Sequence, residues 1–292
     1  MRAFAAVMIL GVVGASAMAA APEPSNPFFA LCMDTHDAKR RTPEQQAVLL
    51  KELGYDGLAH LWLGGVPERL KSLDAHGLKL FQIYVRVNIA PGKTPYDPRL
   101  KQVLPLLKGR GTTLGLLMGG GKPSDPAGDP RAVEILREIA DLAAPHGVRI
   151  ALYPHVGDCV ERVEDAIRIA KKVDRPNAGA MFNLCHWLKA GGGDDAAAIL
   201  KAALPHLFVV TINGADKGLG RSGGWNRLIR PLDAGTFDLF ALLATLRRLG
   251  YRGPIGLQCY GLGGDARDHL ARSIAAWKKL QARLAASPKE TP

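Results

Sequence analysis

The 292-residue sequence has no C-x-x-C pair and no G-x-G-x-x-G after its first expected strand. The first absence removes zinc knuckles and thioredoxin-type redox motifs, and the second a dinucleotide-binding unit. There is no run of five or six like charges either. The chain carries 38 basic and 27 acidic residues, for a net charge of +11, but the surplus is spread along its length. A solvated basic surface accounts for such a spread, and specific nucleic-acid binding is not implied. Apart from one stretch at the start, no apolar run approaches membrane length.

That stretch reads MRAFAAVMILGVVGASAMAAA over residues 1–21. Arg2 precedes an apolar run over 3–15, and Ala17-Met18-Ala19 forms an A-x-A cleavage site. Residues 1–19 are therefore read as a secretory signal, residues 20–27 as a proline-rich leader, and 287–292 as a disordered tail. The expected mature protein is exported, periplasmic or extracellular, and has no membrane attachment once the signal is cleaved. Export leaves two states open for Cys32, Cys159, Cys185 and Cys259. They pair as disulfides, or they stay buried thiols in a chain long enough to build a core without covalent staples.

The remainder, 28–286, is present as one alternation. Strands are expected over 28–33, 57–62, 78–87, 112–118, 148–153, 178–183, 207–212 and 254–260, most of them near-continuous apolar runs. Parallel strands covered on both faces require such runs. Helices lie between them. Thr42-Pro43-Glu44-Gln45 has capping-box spacing with proline at the first helical position, and Gly54 stands where that helix should stop. A helix is expected over 159–173, with Val160, Val163, Ile167 and Ala170 inward and Glu161, Arg162, Glu164 and Asp165 outward. A final helix, about 266–285, carries Leu270, Ile274, Trp277 and Leu284 on one side. Eight such units in one domain predict an α/β fold, a closed (β/α)8 TIM barrel, with an open doubly wound sheet as the alternative.

Chemistry in such a barrel sits at the C-terminal strand ends. Reading the tips in order gives Asp34 and His36, then His60, then Tyr84 and Arg86. Tyr153 and His155 follow, then Asn183, Cys185 and His186, then Asn213 and Asp216, and last Gln258 and Tyr260. Amide, imidazole and phenol groups both donate and accept hydrogen bonds, which suits a neutral polyhydroxylated ligand. The loop 213–236 is too long for an ordinary connection. In it Trp225 offers a flat face for a sugar ring, or is a buried anchor, and Lys217 and Arg221 could meet an acidic group. The glycine turn 119–121 could admit close backbone approach to a ligand, but lacks the G-K-[ST] ending of a phosphate loop.

In their order and spacing these tips resemble the xylose isomerase-like barrels, specifically the sugar phosphate isomerase/epimerase family. The likeness is carried by Tyr153 with His155, Asn183 with His186, Asn213 with Asp216, the turn Asp233-Ala234-Gly235, and Gln258 near the end of GPIGLQC. The family has Glu, Asp, His and Glu where this chain has Tyr153, Asn183, Asn213 and Gln258. Those four hold a divalent metal, and the two Glu residues move the proton beside the substrate carbonyl. Here the set contains no carboxylate or imidazole. Neutral amides bind hard cations poorly and do not titrate near neutral pH. No metal and no cofactor are therefore expected, and the metal-assisted route does not carry over.

The resemblance does carry over His186 as a substrate-contacting residue, with His155 and Asp216. The expected site has His155, His186 or His60 as acid/base, with Asp216 orienting one of them. Tyr153, Asn183, Asn213, Gln258, Trp225 and Arg86 contact a small sugar ligand. The expected function is an exported sugar isomerase or epimerase-like barrel. A non-catalytic carbohydrate-binding barrel is the alternative, and an endonuclease IV-like nuclease a remote one, since its His-, Asp- and Glu-rich zinc ligands are missing. A glycoside hydrolase would need paired carboxylates, for which Asp34 and Asp216 are the only obvious rim acids.

Overall fold

Eight parallel strands close into a barrel in chain order, β1 pairing with both β2 and β8, in a computed structural model that describes residues 26–193 and 195–287. The expected signal over 1–19, most of the leader and nearly all of the tail lie outside the described residues. The strands are β1 Phe28–Leu31, β2 Gly57–Leu61, β3 Lys79–Asn88, β4 Thr113–Gly119, β5 Arg149–Leu152, β6 Ala178–Asn183, β7 Leu207–Ile212 and β8 Ile255–Gln258. Around them run α1 Pro43–Leu53, α2 Val66–Ala75, α3 Leu100–Val103, α4 Asp129–Ala143 and α5 Val163–Val173. The layer continues with α6 Leu184–Lys189, α7 Ala197–Ala203, α8 Trp225–Leu228, α9 Leu239–Arg248 and α10 Ala266–Ala286. The doubly wound alternative is excluded by closure.

Strand alternation sorts the core into two layers. In β1, Phe29 and Leu31 point into the barrel with Phe81, Leu117, Met181 and Val209, while Phe28 and Ala30 face the helices. The outer layer is continuous, and Phe28 stacks there on Trp277 of α10 at 4.2 Å. Leu270, Ile274 and Leu284 of α10 are buried on the same side. The capping box of α1 forms as its spacing requires: Thr42 accepts from the Gln45 amide, Gln45 reaches back to the Thr42 N–H, and Gly54 ends the helix in the left-handed region.

Three expectations are corrected. Strand β1 stops at Leu31 rather than 33, because Cys32 turns into the left-handed region at φ 57°. Helix α5 starts at Val163 rather than 159, because Arg162 is extended and its N–H donates to Asp165 at 3.0 Å. Glu161 and Asp165 then turn out to be buried, not outward. Glu161 accepts a two-pronged bond from Arg221, and Asp165 accepts from Ser124, the Arg162 N–H and Arg168. Periodicity alone could not see these ion pairs. All four cysteines are free and buried.

Candidate functional site

At the C-terminal end of the barrel lies a cavity of about 480 Å³, within the range of small-ligand sites. Its floor is the top layer of the barrel interior: Leu31, Tyr84, Leu117 and Tyr153. His155, His186 and Gln258 form its polar wall, and Arg86 stands at one side. Among the described residues no carboxylate lines it.

The polar wall is fixed by local chain chemistry. Asn183 is the N-cap of α6, its carbonyl oxygen accepting from the His186 N–H at 3.2 Å and from the Cys185 thiol at 2.9 Å. That bonding turns the amide nitrogen toward Tyr153, whose hydroxyl it reaches at 2.7 Å. Gln258 behaves alike: its carbonyl accepts from the Tyr260 N–H at 3.0 Å, so its nitrogen donates to the same phenol at 3.3 Å. The Tyr153 oxygen thus accepts two N–H donors, and its own proton has no acceptor among the described residues. Burial pushes the phenol well above its ordinary pKa, so it stays protonated, a hydrogen-bond donor beside the cavity.

His186 packs edge-on to Tyr153 at 5.5 Å and against His155 at 4.1 Å. Its Nδ1 accepts from the Val156 N–H at 3.2 Å, which places the proton of the neutral ring on Nε2. Burial, and next the neighbouring His155, hold His186 well below its usual pKa, so it is neutral near pH 7. His155 is lowered too, by burial first, while Asp158 pulls the other way and Arg86 adds to the lowering. The Asp158 carboxylate is 3.6 Å from His155 Nδ1, near enough to attract but beyond a hydrogen bond. Arg86 grips the same carboxylate at 2.9 and 3.1 Å.

Three aromatic side chains stand at the mouth: Trp62 is 44% exposed, Trp225 42% and Tyr260 54%. Large aromatics left in water around a cavity mark a binding surface rather than a core. Trp62 is held at φ 68°, an uncommon position for a bulky residue, and the Arg86 guanidinium lies 6.0 Å from its ring. Trp225 meets His186 at 5.1 Å, so it is part of the cavity and not a buried anchor.

The sequence-derived site divides accordingly. Tyr153, His155, His186, Gln258, Trp225 and Arg86 line one cavity. Asn183 stands one bond behind them, aligning Tyr153 and His186. Asn183 is thus not among the lining residues, and neither are three further candidates. Asn213 donates both bonds to backbone carbonyls, of Gly214 and Leu228, and so pins the long loop. Asp216 orients no histidine; Arg227 and Arg230 hold it, keeping its carboxyl below the usual range. His60 is spent on the Gly64 carbonyl at 2.7 Å and on Arg69 at 3.4 Å. Arg221 is paired with Glu161. Gly120 packs closely on the Asn88 side chain and the backbone at 89–90. Reading the sequence missed Trp62 and Asp158. Asp158 sits three residues after His155, the same spacing as Asp216 after Asn213, and so gave no distinguishing signal; Trp62 looked like the last apolar residue of a strand.

A divalent metal does not fit the four positions that resemble metal ligands. Two of their amide oxygens are committed to N–H donors, the phenol is neutral, and none carries charge to offset a cation. Among the described residues no group of three or more His, Cys, Asp or Glu is placed to hold a metal.

Comparison with known proteins agrees with this architecture. A family model described as xylose isomerase-like TIM barrel matches residues 47–280. A 3-dehydroshikimate dehydratase of Pseudomonas aeruginosa is 29% identical over 187 residues, 62% of this chain but 29% of that protein. An inosose isomerase of Bacillus subtilis is 27% identical over 44% of this chain and 46% of its own length. The chain therefore spans less than half of each of these two relatives. Among solved structures, the D-allulose 3-epimerase of Methylomonas sp. in complex with D-allulose superposes with a TM-score of 0.67 at 18% identity, covering 88% of this chain and 98% of that one. The probable 3-DHS dehydratase AsbF of Bacillus anthracis has a TM-score of 0.70 at 14% identity, with 86% and 98% covered. These likenesses concern the fold.

Proposed function

This chain belongs to the xylose isomerase-like TIM barrel family, and on that premise we propose that it binds a sugar or sugar derivative at the C-terminal rim and isomerises or epimerises it without a metal. The observation that carries the proposal is the Tyr153 phenol, aligned by two amide donors beside two neutral imidazoles. In this reading His155 Nε2 removes the proton from the carbon next to the substrate carbonyl. The electron pair moves to the carbonyl oxygen, where Tyr153 O–H and His186 Nε2–H share the developing charge. A turn of the enediol that brings its opposite face to the protonated His155, which then gives the proton back, produces the epimer. Proton transfer between the oxygens of the enediol, followed by protonation of the neighbouring carbon, gives the isomer. Trp62, Trp225 and Tyr260 would stack on the ring and exclude water.

Keto- and aldo-sugars incubated with the protein in D2O should gain deuterium at the carbon beside the carbonyl, read by NMR. The exchange should persist after treatment with a chelator and dialysis. Exchange abolished by the chelator and restored by one equivalent of Mn, Mg, Co or Zn would overturn the metal-free reading. Saturable binding with no exchange for any sugar would instead make this a carbohydrate-binding barrel without catalysis, a reading favoured by the lack of any carboxylate among the described residues of the cavity wall.

Residues 1–19 support a further part of the proposal, that the protein is exported. Expressed in a bacterial host, the protein recovered from the periplasm or medium should have an intact mass that begins at Ala20. A mass retaining Met1 through Ala19 would show that the segment is no cleaved signal.

A further inference from the structure

A second cavity, of about 340 Å³, adjoins the first, and the two share Asn226, Ile229 and Gly261. Its walls are the end of the long loop, the turn 261–264 and the opening turns of α10. His269 lines it from the second turn of α10. This residue is 6% exposed, yet both of its ring nitrogens are buried with no hydrogen-bond partner among the described residues. Buried polar atoms are nearly always paired. An imidazole left unpaired on both sides just behind a cavity wall becomes a partner for a ligand through a small turn of its ring.

The remaining wall chemistry says what kind of ligand. Two guanidiniums face two carboxylates, Arg230 and Arg272 against Asp265 and Asp268. Three of the four already have partners: Arg230 binds Asp216, Arg272 binds Asp233, and Asp265 binds Arg41. With no surplus of positive charge, and with carboxylates on the wall, the cavity is a poor receptor for phosphate. Burial holds His269 below its ordinary pKa, so it presents one N–H donor and one acceptor. A balanced set of donors and acceptors matches hydroxyl groups. In the first cavity Trp225 and Tyr260, the chain neighbours of the shared Asn226 and Gly261, expose flat faces, the surfaces that sugar rings stack on.

We infer that the ligand is a glycoside of two linked rings, one seated in the cavity of Tyr153 and His155 and the next in the cavity of His269. This rests on the sugar reading above and narrows its substrate class to a disaccharide whose first ring supplies the carbonyl, as an opened reducing end or a keto group, in place of a free monosaccharide or sugar phosphate. The first ring meets the acid/base groups; the second supplies affinity and register.

Calorimetric titration tests the inference with glucose, galactose, fructose and methyl glucoside against cellobiose, maltose, lactose and sucrose, with glucose 6-phosphate as the anionic arm. At least one disaccharide should bind tenfold or more tightly than either of its component sugars. His269→Phe keeps a ring of similar size without the nitrogens and should remove that tenfold gain, leaving monosaccharide affinity within twofold. Gly263→Trp should do the same by plugging the second cavity; nothing lies within 4 Å of a Cβ built there, so the fold is spared even where His269→Phe disturbs packing. Equal affinity for one ring and two overturns the inference and leaves the sugar reading standing. A disaccharide preference that survives both variants overturns it as well, and so does tighter binding of glucose 6-phosphate than of any disaccharide. No binding by any sugar removes the inference together with the reading it rests on.

Discussion

Replacing His155 by glutamine is expected to slow deuterium exchange into a sugar substrate by about 10²–10⁴-fold, the usual contribution of a positioned acid/base group. Glutamine retains a donor and an acceptor but does not titrate, so ligand affinity, read by calorimetry, should change far less than rate. The pH profile follows from the same residue. A base must be neutral, and burial lowers the His155 pKa from its ordinary value of about 6.5. The rate should therefore rise as pH climbs through a point below 6.5 and be level above it. Asp158 acts on His155 by favouring the charged ring. Asp158→Asn should thus move the rising limb to still lower pH, because the carboxylate that opposed the lowering is gone and Arg86 is left uncompensated. Unchanged exchange in His155→Gln would remove His155 from the chemistry. A limb above pH 6.5 would assign the titration to another group. Both variants sit at the rim, outside the packed barrel interior, and a thermal unfolding curve like that of the parent protein establishes that the effect is chemical.

Phe29→Ala should cost about 3–5 kcal/mol of folding stability, a large share of the roughly 5–15 kcal/mol that holds a typical domain together. Phe29 is fully buried inside the barrel and stacks on Phe81 at 5.0 Å. Its ring also fills the space left by Gly256, where a Cβ would come within 2.5 Å of the ring carbon Cζ. The two positions face each other across paired strands, β1 and β8. A closed ring of strands cannot move inward to fill the void, since each strand is hydrogen-bonded on both sides, so the lost contacts are not recovered. Urea unfolding is the measurement: the midpoint should fall with the slope unchanged. A cost below about 1 kcal/mol would mean that the interior is not packed around this ring.

The order of elements was legible in the sequence because it depends on local pattern. Near-continuous apolar runs can be satisfied only by strands covered on both faces, and Thr42, Gln45 and Gly54 marked the ends of a helix through bonds made within a few residues. The strand tips were legible for the same reason: in a βα repeat, the residue that ends a strand is the residue that meets the rim. Tyr153, His155, His186 and Gln258 could thus be named together. Which neighbours those groups keep was settled only in three dimensions. Asp216 follows Asn213 by three residues, as Asp158 follows His155, and spacing cannot tell them apart. The first is captured by Arg227 and Arg230, while the second stands against His155 and is gripped by Arg86 from another strand. Glu161 looked like a solvated residue until Arg221, sixty residues on, closed over it. The two unpaired nitrogens of His269 emerged only where α10 meets the turn 261–264 and Arg230. Partners far apart in the chain are chosen by loop paths and by the competition of nearby charges, and neither is written in the spacing of the residues themselves.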